Sequence, residues 1–367
     1  MSCRERAPNN SIVRLRLRCY FNRVSKFFIG FLGAAIALSL LAAEKDVVPQ
    51  KTGIPVKAKK PAIDENDPVE KEYRKLLDLD DAAQTEVDKW IKEAKAFKDA
   101  GAGLPDATLN GRIEQRFSEV RKAYENFLRR HPKHARARLA YGSFLNDIQE
   151  EDEAVVHWEK ARRLDLTNPA PWNNLANYYG HHSPVKKAFE YYGKAIDLDP
   201  TEPVYVQNLA TTVYLFRHDA KEYYGITEEQ VFNKALELYR KALKLDPHNF
   251  TLATDLAQSY YGIRPLRTQE ALEAWEYALK TANDDIEREG VYLHMARVEL
   301  NSGRFDDARR HINMVTNQMY NVLKGRLSRN LQEKETKSSE ARASDSATPA
   351  KAPGASEVNS RTVTEKR

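Results

Sequence analysis

The sequence predicts an all-α protein made of stacked helical hairpins. In residues 169–202, apolar or small residues recur at spacings of three and four in two successive sets, which places each set on one face of a helix. Pro200 closes the unit because proline cannot continue a helix. The pattern returns on both sides of this unit, and one hairpin cannot cover its own apolar faces, so the hairpins must stack. The recurring positions are Trp172, Leu175, Ala176 and Tyr179 in the first helix and Ala188, Tyr192 and Ala195 in the second.

These residues resemble the signature of the tetratricopeptide repeat, W-x2-L-G-x2-Y followed by A-x3-F and P. Ala176 stands for the small glycine and Tyr192 for the phenylalanine. The resemblance implies a right-handed superhelical solenoid, with small residues where paired helices cross and large aromatic residues between repeats. It also implies a protein that binds a protein or an extended peptide, mainly on the concave face lined by the first helix of each repeat.

Five recognisable repeats and a divergent leading hairpin are predicted within a repeat domain that spans residues 70–331. The leading hairpin is interrupted at residues 100–111 and ends at His131-Pro132. The final helix is expected to extend to about Leu331 and to cover the open end of the array. The recognisable repeats are residues 135–168, 169–202, 203–249, 250–285 and 289–322.

An uncharged apolar segment, residues 27–43, follows a basic N-terminal segment, residues 1–26. Its length fits either a cleaved signal peptide or a short membrane anchor, so both interpretations stay open. In either case the Arg-rich flank should stay in the cytoplasm, and the repeats should lie on the extracytoplasmic, periplasmic side of the cytoplasmic membrane. A mitochondrial presequence with an inner-membrane anchor is a further alternative, because the N-terminus is rich in arginine and poor in acids.

Segments without apolar periodicity flank the predicted repeats. Residues 44–69 mix acids and lysines with four prolines, and they are expected to form a disordered linker. Residues 332–367 consist mainly of Ser, Ala, Lys, Glu and Thr and contain only two valines. Such a composition cannot bury enough apolar surface to fold, so these residues are expected to form a disordered tail.

The positive charge of the chain lies outside the repeats. The whole chain carries +5, whereas residues 1–26 alone carry +6 and residues 325–367 carry +3. Because residues 44–69 are neutral, a charge of −4 remains for the repeats, which argues against nucleic acid as a partner. Both cysteines, Cys3 and Cys19, precede the apolar segment, so nothing beyond it can form a disulfide or a thiolate metal site.

No nucleophile elbow, phosphate-binding loop, dinucleotide-binding glycine motif or zinc-protease motif occurs in the sequence. A non-catalytic protein with no cofactor, metal or small-molecule ligand is therefore predicted. The alternative is an enzyme, such as a hydrolase or transferase, with an unrecognised site on the helices. His181, His182 and His218 are weak candidates for a metal site, because adjacent histidines point apart and no fourth ligand is evident.

The first helices of successive repeats share a polar face with almost no charge. A side-chain amide offers both donors and an acceptor, so a row of amides can pair with the backbone of an extended peptide whatever its side chains. The alternative is a structural role, because asparagine is common at this position in the family. A basic carboxylate clamp is not expected, because Leu139, Val204 and Asn208 stand where the resemblance would require Lys or Arg. The candidate groove residues are Asn173, Asn174, Asn177, Gln207, Asn208, Thr211, Asp255 and Gln258.

A second candidate surface is the edge formed by the turns between paired helices. Insertions that gather on one edge often mark a binding face, and one of these turns carries the insertion at residues 217–229. Aromatic residues and arginines are typical of interface anchors, whereas tolerated loop variation is the alternative interpretation. The candidate edge residues are His181, His182, Tyr223, Tyr224, Arg264 and Arg267.

Overall fold

The computed structural model describes Asp64, residues 66–99, Gly101 and residues 106–346. Fourteen α-helices and two short 3-10 helices account for nearly all of these residues, and the described part of the chain contains no β-strand. The prediction of an all-α fold built from helical hairpins is confirmed. The chain divides into two compact units between Tyr178 and Tyr179.

The first unit contains two hairpins and most of a fifth helix. Asp67 begins the first helix because its carboxylate accepts a hydrogen bond from the Val69 amide at 2.8 Å, and Pro68 occupies the first turn. The first two helices are joined by a buried bond from the Tyr124 hydroxyl to Asp80 Oδ2 at 2.7 Å. The helices are α1 (Pro68–Asp99), α2 (Asp106–Arg130), α3 (Ala135–Asp147), α4 (Glu151–Leu164) and α5 (Pro169–His181).

Helices α3 and α4 cross so closely that only glycine fits at the crossing. A Cβ atom on Gly142 would lie 2.6 Å from both Cδ1 and Nε1 of Trp158 and 3.0 Å from the carbonyl oxygen of Ala154. The tetratricopeptide resemblance places its small residue at this position. The buried surface of this pair therefore follows the expected pattern, with a small residue under a large aromatic side chain.

The second unit contains three further hairpins and a terminal helix. The hairpins are formed by α7 with α9, α10 with α11, and α12 with α13, and the terminal helix packs on α12 and α13. A core cluster that includes Val206, Tyr239 and Trp275 runs through successive hairpins. The helices are α6 (Val185–Leu198), α7 (Pro203–Leu215), α8 (Arg217–Tyr224), α9 (Glu228–Leu245), α10 (Phe250–Ser259), α11 (Thr268–Thr281), α12 (Asp285–Asn301), α13 (Phe305–Asn313) and α14 (Asn321–Ser346).

The insertion at residues 217–229 differs from the sequence-based expectation of a long turn. Most of it forms the additional helix α8. Gly225 ends this helix in the left-handed conformation, with φ of 64°. Thr227 then begins α9 with a capping box, in which its hydroxyl and the Gln230 side chain each accept a backbone amide of the other residue.

The predicted tail boundary also requires correction. Residues 332–346, which were expected to be disordered, continue α14 as far as Ser346. Contacts with the preceding hairpin hold part of this extension, because Arg309 pairs with Glu335 and Lys334 donates to Asn301 Oδ1 at 3.2 Å. Glutamate and lysine are also good helix formers, so low hydrophobicity alone does not exclude a helix.

Several predicted segments lie outside the described residues. These segments are the basic residues 1–26, the apolar segment 27–43, most of the linker and the end of the tail, residues 347–367. Within the described part of the chain, none of the helices is both long and apolar enough to cross a bilayer.

Candidate functional site

In the second unit, the predicted groove residues of two successive repeats are joined directly. Gln207 on α7 donates from Nε2 to Asp255 Oδ2 on α10 at 2.8 Å, and both side chains are buried. Burial raises the pKa of Asp255 to about 7, and the bond from Gln207 opposes this rise. Little of either side chain is exposed to solvent. These two residues therefore stabilise the groove from its buried side.

Three other groove residues of the second unit lie at or near the surface. Gln258 on α10 is exposed, whereas Asn208 and Thr211 on α7 are half-buried. The Thr211 hydroxyl lies 2.8 Å from the Tyr239 hydroxyl, so its position is fixed by the second helix of the same hairpin. The accessible part of the candidate site is thus an uncharged polar surface, and the buried hydrogen bond between Gln207 and Asp255 lies beneath it.

The first unit repeats this arrangement on α3 and α5. Asn173 is buried, whereas Asn174 and Asn177 are half-buried. Asn174 Nδ2 donates to Ser143 Oγ at 3.3 Å, which joins the first helices of two successive hairpins. Asn174 therefore has a structural contact that the sequence analysis did not identify, because its partner is a serine in another repeat.

The structure adds three residues at the next first helix, α12. His294 directly precedes Met295-Ala296, as Asn208 precedes Leu209-Ala210, so it occupies the same repeat position. The Tyr261 hydroxyl lies 3.0 Å from His294 Nδ1, and the Arg297 guanidinium lies 4.5 Å from the centre of the Tyr261 ring. This equivalence of position is the signal by which the sequence could have identified His294.

His294 belongs to the aromatic core more than to the groove surface. Its ring stacks on Trp275 with centroids 4.3 Å apart and an angle of 6° between the planes. Burial, followed by the nearby Arg297, lowers the pKa of His294 to about 4. The imidazole is therefore neutral at pH 7, whereas Arg297 on the same helix is exposed and charged.

At the candidate edge, α8 packs its aromatic residues on α6. The rings of Tyr223 and Tyr224 lie 5.3 and 5.6 Å from that of Phe189, and 4.8 Å from each other. The Lys234 ammonium lies 4.3 Å from the centre of the Tyr224 ring. Tyr223 remains 41% exposed, so it is the accessible member of this cluster.

The two candidate arginines of the edge form hydrogen bonds that fix the turn between α10 and α11. Arg264 Nη1 donates to the carbonyl oxygens of Tyr261 and Ile263 at 3.0 and 2.8 Å. Arg267 donates from Nη1 to Asn233 Oδ1 at 2.6 Å and also pairs with Glu229. These contacts order the turn between α10 and α11, and a partner would have to compete with them.

The edge histidines lie at the C-terminal end of α5, where His181 is the last residue of the helix and His182 follows it. His181 and His182 are both exposed, and His218 on α8 lies 3.7 Å from Glu222. Among the residues that the structure describes, no three His, Cys, Asp or Glu side chains come close enough together to hold a metal ion.

No family of known proteins and no curated protein matches the sequence. The helices that the structure describes pair into successive hairpins, as the resemblance to the tetratricopeptide repeat implies. In solved structures, the chain is similar to MamA at 21% identity, covering 47% of this chain and 86% of MamA with a TM-score of 0.37.

Two further solved structures are similar over most of their own length. YrrB, a tetratricopeptide-repeat protein with an unusual peptide-binding site, is 13% identical, with 57% of this chain and 99% of YrrB covered and a TM-score of 0.44. PilF from Pseudomonas aeruginosa is 16% identical, with 70% of this chain and 99% of PilF covered and a TM-score of 0.44. At these identities the similarity concerns the fold only.

Proposed function

We propose that this protein is a non-catalytic scaffold that binds a polypeptide partner through the polar face of α7 and α10. The bond between Gln207 and Asp255 is the observation that carries this proposal, because it ties two successive first helices beneath accessible amide and hydroxyl groups. A rigid row of such groups can pair with backbone N–H and C=O groups of an extended segment. The edge residue Tyr223 offers a second, aromatic contact.

The proposal includes a location outside the cytoplasm. The apolar residues 27–43 and the Arg-rich residues before them support export or membrane tethering. A repeat domain without cysteine suits such a compartment, because its stability depends on helix packing alone and not on the redox state of thiols. The scaffold would then hold its partner at the extracytoplasmic side of the membrane.

Removal of two accessible amides should weaken peptide binding without unfolding the repeats. The probe is a peptide selected by the full-length protein from a random-sequence display library, and fluorescence anisotropy measures its affinity. Asn208→Ala with Gln258→Ala should raise Kd about 30-fold, because two hydrogen bonds are lost and each contributes about 1 kcal/mol.

The matched control removes one asparagine and one glutamine from second helices. Gln269 on α11 and Asn313 on α13 are both exposed, and neither belongs to the groove. Gln269→Ala with Asn313→Ala should leave Kd unchanged. If the wild type and the groove variant bind with equal affinity, and circular dichroism shows that both are folded, the groove does not bind the peptide.

A further inference from the structure

The first turns of α14 have one face in the core and one face in solvent. On the inner face, Leu327 and Leu331 are buried in a cluster with α12 and α13. The Tyr320 hydroxyl donates to the carbonyl oxygen of Ile286 at 2.8 Å, and Lys324 Nζ donates to that of Val315 at 2.6 Å. These contacts fix the rotation of α14 about its axis.

The segment directly before α14 is also fixed, by hydrogen bonds to a carboxylate on α12. The Glu289 carboxylate accepts hydrogen bonds from the Thr316 amide at 3.0 Å, the Thr316 hydroxyl at 2.8 Å and the Asn317 amide at 2.7 Å. The Asn317 amide is the main reason why the pKa of Glu289 is lowered. The outer face of α14 is therefore presented in one orientation.

That outer face carries apolar side chains beside arginines. Met319 is 67% exposed and Val322 is 77% exposed, and Leu323 is also exposed. At 100° per residue, Arg326 and Arg329 fall on the same side of the helix, opposite Leu327 and Leu331. Met319 lies in the 3-10 helix Gln318–Tyr320, directly before α14. Together with this residue, we call Val322, Leu323, Arg326 and Arg329 the outer face of α14.

The sequence around the outer face of α14 is positively charged. Residues 308–332 contain five Lys or Arg and no Asp or Glu. Arg309 and Arg310 on α13 are paired with Asp306 and Asp307. By contrast, no acidic partner of Arg326 or Arg329 is found among the described contacts. The first acid of α14, Glu333, follows Arg329 by four residues and lies on the same side of the helix, one turn further on.

The charge pattern decides between the possible occupants. A symmetric contact between this face and the same face of a second copy would bring two sets of Arg326 and Arg329 into one interface, where like charges repel. A surface of anionic headgroups is complementary instead. Apolar side chains can enter the boundary between its headgroups and acyl chains, while the arginines reach the phosphate groups.

We propose that the outer face of α14 is a contact for the surface of an anionic lipid bilayer. Three apolar side chains insert at the boundary between headgroups and acyl chains, and two arginines bind the phosphates. Such a contact is reversible by itself, because stable attachment needs a second signal. This inference does not depend on peptide binding by α7 and α10.

The test places a fluorophore on the outer face in the full-length protein. Cys3→Ser and Cys19→Ser remove the native thiols, and Val322→Cys supplies one site for an environment-sensitive dye. The labelled protein is reconstituted into vesicles of phosphatidylcholine with or without phosphatidylglycerol, and nitroxide-labelled lipids report contact with the bilayer. Val156→Cys is the matched control, because Val156 on α4 is an exposed valine followed closely by Glu159.

The dye at position 322 should shift to the blue and be quenched in vesicles with phosphatidylglycerol, and the dye at position 156 should not. Arg326→Gln with Arg329→Gln should lower the equilibrium constant for this contact about 25-fold, because each basic residue near an anionic surface contributes about fivefold. Added salt should reduce the contact as well. Circular dichroism checks that the variants remain folded.

Several results would overturn the inference. Equal shifts with and without phosphatidylglycerol would show that the arginines do not recognise the lipid charge. A shift without lipid that grows with protein concentration would assign the face to a second copy. A shift caused by an acidic amphipathic peptide, but by neither vesicle, would assign it to a protein partner, and no shift at all would remove the site.

Discussion

Protonation of Asp255, a buried residue of the proposed site, is linked to the stability of the fold. Its carboxyl group is buried between two repeats, and its only bond described is the one from Gln207. Burial raises its pKa from 3.8 to about 7. As pH rises from 4 through 7, the carboxyl group ionises in the unfolded chain first, so the folded state loses stability over this range.

Asp255→Asn should remove this pH dependence while the side-chain oxygen still accepts from Gln207. The variant and the wild type should have similar free energies of unfolding near pH 4. At pH 8 the variant should be more stable by about 2–4 kcal/mol, because the ionisation of a buried carboxyl group no longer opposes folding. Urea denaturation at both values measures this difference.

Asp197→Asn is the control, because Asp197 is an exposed carboxylate on α6. It should follow the wild type at both pH values. A wild type and an Asp255→Asn variant that differ equally at pH 4 and pH 8 would contradict the linkage.

Helical spacing predicts which residues share a face of a helix, but it does not predict the direction of each side chain. Helical spacing alone predicts that Asn208 and Gln258 share a face, but it assigns Gln207 and Asp255 to the same surface. Both turn inward because they meet each other across 48 residues of sequence. The turn contacts of Arg264 and Arg267 depend in the same way on the fold, so spacing could not reveal them.

At the scale of elements, the close crossing of α3 and α4 depends on Gly142. Gly142→Ala should lower the free energy of unfolding by about 1–3 kcal/mol, because the new methyl group overlaps the indole of Trp158. Gly193→Ala on α6 is the control, because its added Cβ would meet no atom within 4 Å. That change should stabilise the protein by up to about 1 kcal/mol through helix propensity.

Thermal and chemical denaturation of both glycine variants measure this difference in sign. Destabilisation of equal size in both variants would mean that loss of glycine, and not contact with Trp158, causes the effect. Stabilisation by Gly142→Ala would contradict the described crossing of α3 and α4.

Two elements could not be predicted from apolar periodicity. Helix α8 is short and buries Ala220 fully, so its eight residues contain too few apolar positions for a helical pattern. The end of α14 has no apolar stripe at all, and its described part is tied to the preceding hairpin by contacts such as that of Glu335 with Arg309. Both elements depend on contacts with other helices that a local pattern does not contain.

At the scale of the whole molecule, the repeat pattern predicted the fold because each hairpin needs its neighbours. Trp158, Tyr192 and Trp275 recur at equivalent positions, and all three are buried. The same regularity says little about function, because a repeat array can present several surfaces. The groove of α7 and α10, the edge at α8 and the outer face of α14 differ in charge and polarity and would therefore select different partners.

The polar face of α7 and α10 should hold a polypeptide partner in the cell. A photo-crosslinking amino acid in place of Gln258, in the full-length protein and in intact cells, tests it most directly, with the same substitution at Gln269 on α11 as the reference. We expect a discrete protein adduct from position 258 that is absent from position 269. No adduct at position 258, or the same adducts from both positions, would contradict it.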